Sequence, residues 1–241
     1  GRALGMGGAF VAVANDVTSG YYNPAGLANL NYPQLALMHS EQFGNLVNYD
    51  YGAVGIPFED DMSFGLSVMR LGVDGIPDTR GALYDADGDD RLDYSRITEF
   101  SNQDWAFYLT FAKRQTEDFY WGINAKIIRR DLAEFGATGI GFDVGAYYTP
   151  MENLYLGANL QDATTTLVAW STGRNELVSP TLKVGGAYKF VEFLGGYIMP
   201  ALDFDIRFEN RQFASNFNLG PVSFDMHAGL EYTFKNLIYV R

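Results

Sequence analysis

Between Val222 and Phe234 every second residue is apolar: Val222, Phe224, Met226, Ala228, Leu230, Tyr232 and Phe234. The residues between them are Ser223, Asp225, His227, Gly229, Glu231 and Thr233. A period of two places these sets on opposite faces of a strand. The alternation recurs along the chain. Met62, Phe64, Leu66 and Val68 oppose Ser63, Gly65 and Ser67, and Trp121, Ile123, Ala125 and Ile127 oppose Gly122, Asn124 and Lys126. Phe142, Val144, Ala146 and Tyr148 oppose Asp143, Gly145 and Tyr147, and Leu202, Phe204, Ile206 and Phe208 oppose Asp203, Asp205, Arg207 and Glu209. The polar face thus carries full charges in mid-strand, at Asp143, Lys183, Asp203, Asp205, Arg207, Asp225 and Glu231.

Three strand-forming architectures compete for such a pattern. A soluble sandwich turns its apolar face inward and uses shorter strands, of about 5–6 residues. A lipocalin-type barrel has long alternating strands, but about eight of them around a mostly apolar interior. A barrel with lipid outside and a polar lumen combines a complete apolar face, mid-strand charges on the other face, and short turns alternating with long loops. The pattern therefore predicts an all-β, transmembrane antiparallel β-barrel. Its expected strands are 34–39, 47–57, 62–71, 103–114, 119–130, 139–149, 154–160, 180–190, 197–210 and 222–234, and another begins at 237. Roughly 10–11 strands are present where closure calls for an even number, about 14, so the chain is expected to stop short of a closed barrel. Residues 72–102 and the stretch around Ser171-Thr172-Gly173-Arg174 read as connections.

Composition narrows the classes further. Aromatic residues make up 15% of the 241 residues, with 27 glycines and few charges, which favours strands over helices. No run of about 18 apolar residues exists for a membrane helix, a criterion that does not reach barrels. A net charge of -12 argues against nucleic acid as a partner. Without cysteine there is neither a disulfide framework nor a thiolate metal site. No signal peptide precedes Gly1, and the chain opens in mid-motif, so a leader is expected to have been removed or left out.

Residues 1–32 differ from everything after them. They are rich in Gly and Ala, almost uncharged, and fit neither a long helix nor a strand ladder. Small residues suit a segment packed inside a barrel, and Asn23-Pro24 suits a kinked turn. The domain reading is an N-terminal hatch or plug over 1–32 and a barrel over 33–241.

The opening Arg2-Ala3-Leu4-Gly5-Met6-Gly7-Gly8-Ala9-Phe10-Val11-Ala12-Val13-Ala14-Asn15-Asp16, with Tyr22-Asn23-Pro24-Ala25-Gly26-Leu27, resembles the mature N-terminus of the PorV/PorQ family, within the FadL-like outer-membrane transporters. Asn48-Tyr49-Asp50-Tyr51, Phe64-Gly65-Leu66-Ser67-Val68 and Gly72-Val73-Asp74-Gly75-Ile76-Pro77-Asp78-Thr79 resemble the same family's second and third strands and the loop after them. The resemblance implies a bacterial outer-membrane barrel of about 14 strands whose N-terminus folds inward as a hatch. Its hatch motif would fall on Asn23, Pro24, Ala25 and Gly26. It also implies a role in protein secretion or surface attachment of the type IX kind, with a translocon or cargo protein as partner. The alternative is the wider group's carriage of hydrophobic compounds such as long-chain fatty acids. Either way the bilayer is the first partner.

Candidate sites follow. The charges Asp143, Lys183, Asp203, Asp205, Arg207 and Glu231 are expected to line the lumen, either as a polar path or by satisfying one another. Asp85, Asp87, Asp89 and Asp93 stand at positions 1, 3, 5 and 9 of a calcium-loop spacing, against a solvated acidic loop as the plain alternative. Position 6 is Asp90 instead of Gly, and position 12 is Arg96 instead of Glu. No cofactor other than this calcium is implied. His39 and His227 are isolated in sequence, Gly5-Met6-Gly7-Gly8 lacks a preceding strand, and nothing points to an enzyme.

Overall fold

A computed structural model of the chain describes residues 1–86, 89–193, 195–235 and 237–241, the side chains of 84–86, 89–90 and 191–193 excepted. Ten long strands form one antiparallel meander: β1 Gln34–Gln42, β2 Val47–Phe58, β3 Met62–Asp78, β4 Thr98–Arg114, β5 Phe119–Leu132, β6 Phe135–Met151, β7 Leu154–Gln161, β8 Thr181–Tyr188, β9 Gly196–Arg207 and β10 Val222–Phe234. Each pairs with the next. The tight acidic turn between Phe58 and Met62 fixes the β2–β3 register at Phe58 opposite Met62 and Val47 opposite Val73.

Two expected connections are largely strand. β3 runs on to Asp78 and β4 begins at Thr98, so 72–102 is not the loop its turn-rich composition suggests. Between them Leu83–Ala86 and Asp89–Leu92 pair as a small separate hairpin. The bend that hid this extension is at Gly75, in the left-handed region at φ 68°, where the β3–β4 register shifts between Val73 and Ile76. Likewise Thr166–Trp170 and Asn175–Val178 form a hairpin across the polar stretch at 171–174, and its first strand joins the edge of β6. After β10 the chain turns and Ile238–Val240 pairs back onto it, the eleventh strand of the sequence reading.

The sheet is inverted relative to a soluble protein. Leu37 is 79% exposed, Leu109 60% and Ile140 59%, while Asp143 and Glu231 are each 1% exposed. Ser63, Thr110, Asn124, Asn159, Ser223 and Thr233 are buried with them on the opposite face. A soluble protein has no reason to bury its polar alternates and expose a continuous apolar band. Lipid as the outer solvent supplies one, at about 25 cal/mol per Å² of apolar surface kept from water.

What the inner face is buried against is the N-terminal segment. It holds two single-turn helices, α1 Arg2–Gly5 and α2 Ser19–Tyr22, and a 3-10 helix Pro24–Asn29. Ala3, Met6, Ala9, Phe10, Val11, Ala12, Val13, Ala14 and Val17 are buried, as are Ala25, Leu27, Ala28 and Leu30. The wall wraps this segment, and its glycines let it close in. A Cβ on Gly122 of β5 would stand 2.5 Å from the Pro24 carbonyl carbon, and one on Gly157 of β7 would stand 2.6 Å from that of Val11. Real side chains never approach so closely, so glycine is required at both.

Candidate functional site

The strongest constellation is the seat of the N-terminal segment. Asn23 stands just ahead of Pro24, the first residue of the 3-10 helix, and caps it, its Oδ1 accepting from the Ala25 N–H at 3.2 Å. Its Nδ2 donates to the Val11 carbonyl at 2.9 Å and to the Ala146 carbonyl of β6 at 3.0 Å. One fully buried amide thus ties together two turns of the segment and the wall. Pro24 and Ala25 lie against Gly122, and Gly26 against the Ala14 carbonyl. Residues 23–26 thus lie where the segment meets β5 and β6.

The wall answers with side chains from several strands. Asp203 on β9 accepts two backbone N–H groups through one oxygen, from Phe10 at 2.5 Å and from Val11 at 2.7 Å. Gly185, opposite it on β8, gives that carboxylate its space. Asn124 on β5 donates to the Gly20 carbonyl at 2.7 Å and accepts from the Thr110 hydroxyl at 2.8 Å. Asn159 on β7 donates to the Tyr22 carbonyl at 2.9 Å. On β10, Glu231 receives Arg2 Nε at 3.1 Å and Arg241 Nε at 2.6 Å. The segment has little regular structure to satisfy its own peptide groups, so buried amides and carboxylates of the wall do so.

The remaining charges stand in ion pairs, though the buried Arg207 Nε makes no hydrogen bond. Asp143 takes Lys126 Nζ at 2.8 Å, and that ammonium also meets Asp162 at 2.7 Å. Lys183 pairs with Asp205 at 2.8 Å, and Arg207 stands 3.8 Å from Asp225, which Arg211 meets at 2.5 Å. Of the six predicted lumen charges, Asp203 and Glu231 hold the N-terminal segment, and the other four are paired within the wall. Sequence reasoning missed the grip of Asn124 and Asn159; the signal was an amide at mid-strand among small residues.

Beside the seat are two cavities. The first, of about 270 Å³, lies between the segment and β1–β2 and is lined by Ala3, Tyr21, Tyr22, Ala36, Met38, Tyr49 and Tyr51, with Arg2 and Asp16 at its polar side. The second, of about 330 Å³, shares Tyr21 and Tyr49 with it and extends past Met69, Leu71, Tyr108, Ile128, Val168 and Val178 to the Arg130–Asp104 pair. The rings that meet here do so edge to face, Tyr21 with Tyr22 at 4.9 Å and with Tyr108 at 6.0 Å. Such a surface accepts apolar groups and offers phenols for an occasional polar one.

The aspartates of the calcium-type spacing fare differently. Asp85 and Asp89 fall in the small hairpin and Asp87 lies outside the described residues. Asp93 accepts from the Ser95 N–H at 3.0 Å and from its hydroxyl at 2.6 Å, and meets Arg96 at 3.2 Å. Among the described residues no three His, Cys, Asp or Glu side chains converge to hold a metal ion. His39 is not isolated in space: its Nδ1 lies 2.6 Å from Asp50.

In sequence, neither a family nor a curated protein matches the chain. In structure it is similar to outer-membrane barrels. A FadL homologue of Pseudomonas aeruginosa superposes with a TM-score of 0.56 at 11% identity, over 93% of this chain and 74% of that one. The outer-membrane protein OmpT of Vibrio cholerae, in its trimer form, gives 0.50 at 13% identity, over 84% of this chain. The chain spans 62% of the length of that OmpT. At such identities the likeness is one of fold: this is the antiparallel barrel wall of outer-membrane proteins.

Proposed function

We propose that the chain is the wall and hatch of a bacterial outer-membrane transporter of hydrophobic compounds such as long-chain fatty acids, with no enzymatic activity. The observation that carries the reading is the aromatic, largely apolar cavity between the N-terminal segment and β1–β2, which shares Tyr21 and Tyr49 with the cavity beside Tyr108. A lumen built only to be sealed gains nothing from a hydrophobic recess beside its plug, whereas a carrier of apolar solutes needs one. In this reading Asn23, Pro24, Ala25 and Gly26 hold the hatch in place. The test is uptake of a fluorescent fatty acid by proteoliposomes. Ala36→Trp, which fills the recess from the wall side, is expected to cut uptake at least tenfold with the barrel intact; unchanged uptake overturns the reading.

A second reading, a component of protein secretion or surface attachment of PorV/PorQ type, is favoured by the resemblance of residues 2–16 and 22–27. It makes the 72–102 region the protein-binding surface, and there β3 and β4 reach beyond the apolar band. Purification from detergent-solubilised outer membrane separates the two: co-purified lipid without protein argues for the transporter, a translocon or cargo protein for secretion.

A further inference from the structure

On the outward face the change from apolar to polar follows a single register line. His39, Asp50, Arg70, Trp105, Arg129 and Thr138 are paired one to the next across β1 to β6. Two residues closer to the 59–61 and 115–118 turns, the next outward row is Leu37, Gly52, Val68, Phe107, Ile127 and Ile140, paired in the same way. The polar row thus marks where the apolar band ends, on the side away from the short 59–61 turn. The long 79–97 connection is at that end, and in outer-membrane barrels the longer loops are extracellular, so this row lies at the headgroups of the outer leaflet.

Along the apolar row one residue has no side chain. Gly52 leaves a recess between Leu37 and Val68, whose methyls stand 3.5 Å from where its Cβ would be. It is part of a groove of about 390 Å³, with His39, Asp50 and Arg70 along its upper rim and Trp105 at its flank. The rim is fixed by contacts of its own. Arg70 donates to Asp50 at 2.9 Å and stacks its guanidinium on the Trp105 ring at 5.7 Å, and Asp50 also meets His39. Asp50 takes one N–H of a group that has five. A held, planar cation above an apolar slot matches a phosphate above an acyl chain.

We infer that this groove is a binding site for one outer-leaflet lipid, an acyl chain lying over Gly52 and a phosphate-bearing headgroup on Arg70. The bilayer around the wall supplies the occupant, and the row places the cation at headgroup depth. The site faces away from the lumen and does not depend on what the barrel carries.

The test is native mass spectrometry of the detergent-purified protein titrated with dioleoyl phosphatidylglycerol, with dioleoyl glycerol as the phosphate-free probe. One phosphatidylglycerol is expected to survive on the wild type at energies that strip the rest, and dioleoyl glycerol is not. Gly52→Val, which fills the slot, and Arg70→Gln are each expected to weaken retention at least tenfold. Arg70→Lys should restore part of it, and Arg129→Gln, in the same row outside the groove, should change nothing. Heat-modifiable migration on gels reports folding of every variant. Equal retention by the wild type and both groove variants means annular lipid only and overturns the site. Equal retention of the two probes overturns the headgroup contact.

Discussion

The N-terminal segment and the wall solve opposite problems. The segment is irregular in backbone, yet its side chains, Met6, Phe10, Val13 and Leu27 among them, are buried as in a soluble core. The wall is regular, its backbone satisfied strand to strand, yet it exposes Leu35, Leu66 and Ile127 and buries Asp143 and Asn159. Each lacks what the other supplies. The segment's peptide groups need partners, and the wall's inner amides and carboxylates need something other than water to hold. Polar side chains that would destabilise an ordinary core are here the fasteners, because irregular backbone leaves N–H and C=O groups unpaired.

The sharpest way to break this complementarity is to remove the space between the parts. Gly157→Val drives a side chain into the Val11 carbonyl and Ala12 Cα. It is expected to cost about 3 kcal/mol and to dislodge the segment from a wall that still forms. Limited proteolysis should then cut within residues 1–30 while heat-modifiable migration persists; a protected segment would show that the wall, not the segment, yields. Next in size is Asp203→Ala. It strands the buried N–H groups of Phe10 and Val11, and urea unfolding in micelles should register a loss of about 2–3 kcal/mol. Asn124→Ala should cost about 2 kcal/mol, since Gly20 and Thr110 each lose one neutral hydrogen bond and Asp143, still held by Lys126, loses one donor. Should Asn124→Ala exceed Asp203→Ala, the carboxylate is not the principal fastener.

The smallest effect belongs to neither part. Beyond the apolar band Arg80 bridges Asp78 at the end of β3, at 2.7 Å, and Glu134 in the β5–β6 turn, also at 2.7 Å. Its hydrogen bonds hold the Asp78 carboxyl down at about 2 and lower that of Glu134. Depressed carboxyls contribute whatever stability they give above their unfolded values near 4, and lose it as pH falls through the folded ones. Acidification from about pH 4 to pH 2 should therefore loosen this bridge. Carboxyl NMR should find the Asp78 midpoint near 2 in the wild type and near 4 in Arg80→Ala. An unmoved midpoint in the variant would show that the bridge does not hold it.

The wall was legible because its signal is periodic and local: Trp121 to Ile127 or Val222 to Phe234 states its own faces. The inverted burial was legible too, since Asp203 and Glu231 cannot sit in mid-strand facing lipid. The β3 extension was hidden because Gly72, Gly75 and Pro77 are turn formers, and only pairing with β4 shows them as strand. The hairpin at 166–178 was hidden by length: its strands of five and four residues carry too few alternations to stand out. At the seat, Asn23-Pro24 was visible as a turn, but its link to Ala146 spans 123 positions, and no local pattern encodes such a contact. The cavity at Tyr21 and Tyr49 is likewise a product of how the segment lies, which the sequence of either part does not contain.

The two boundaries of the outward apolar face carry a measure of length. On β3 it runs from Met62, beside the short turn, to Arg70, eight residue steps later. At about 3.4 Å per step that is roughly 27 Å of strand, and a tilt of about 40° reduces it to roughly 21 Å of height. A bilayer of ordinary thickness, near 30 Å, would bury the Arg70 row in its hydrocarbon. The wall is cut for a thin membrane, and in a thicker one it would have to pinch the lipid around itself to keep those charges wet.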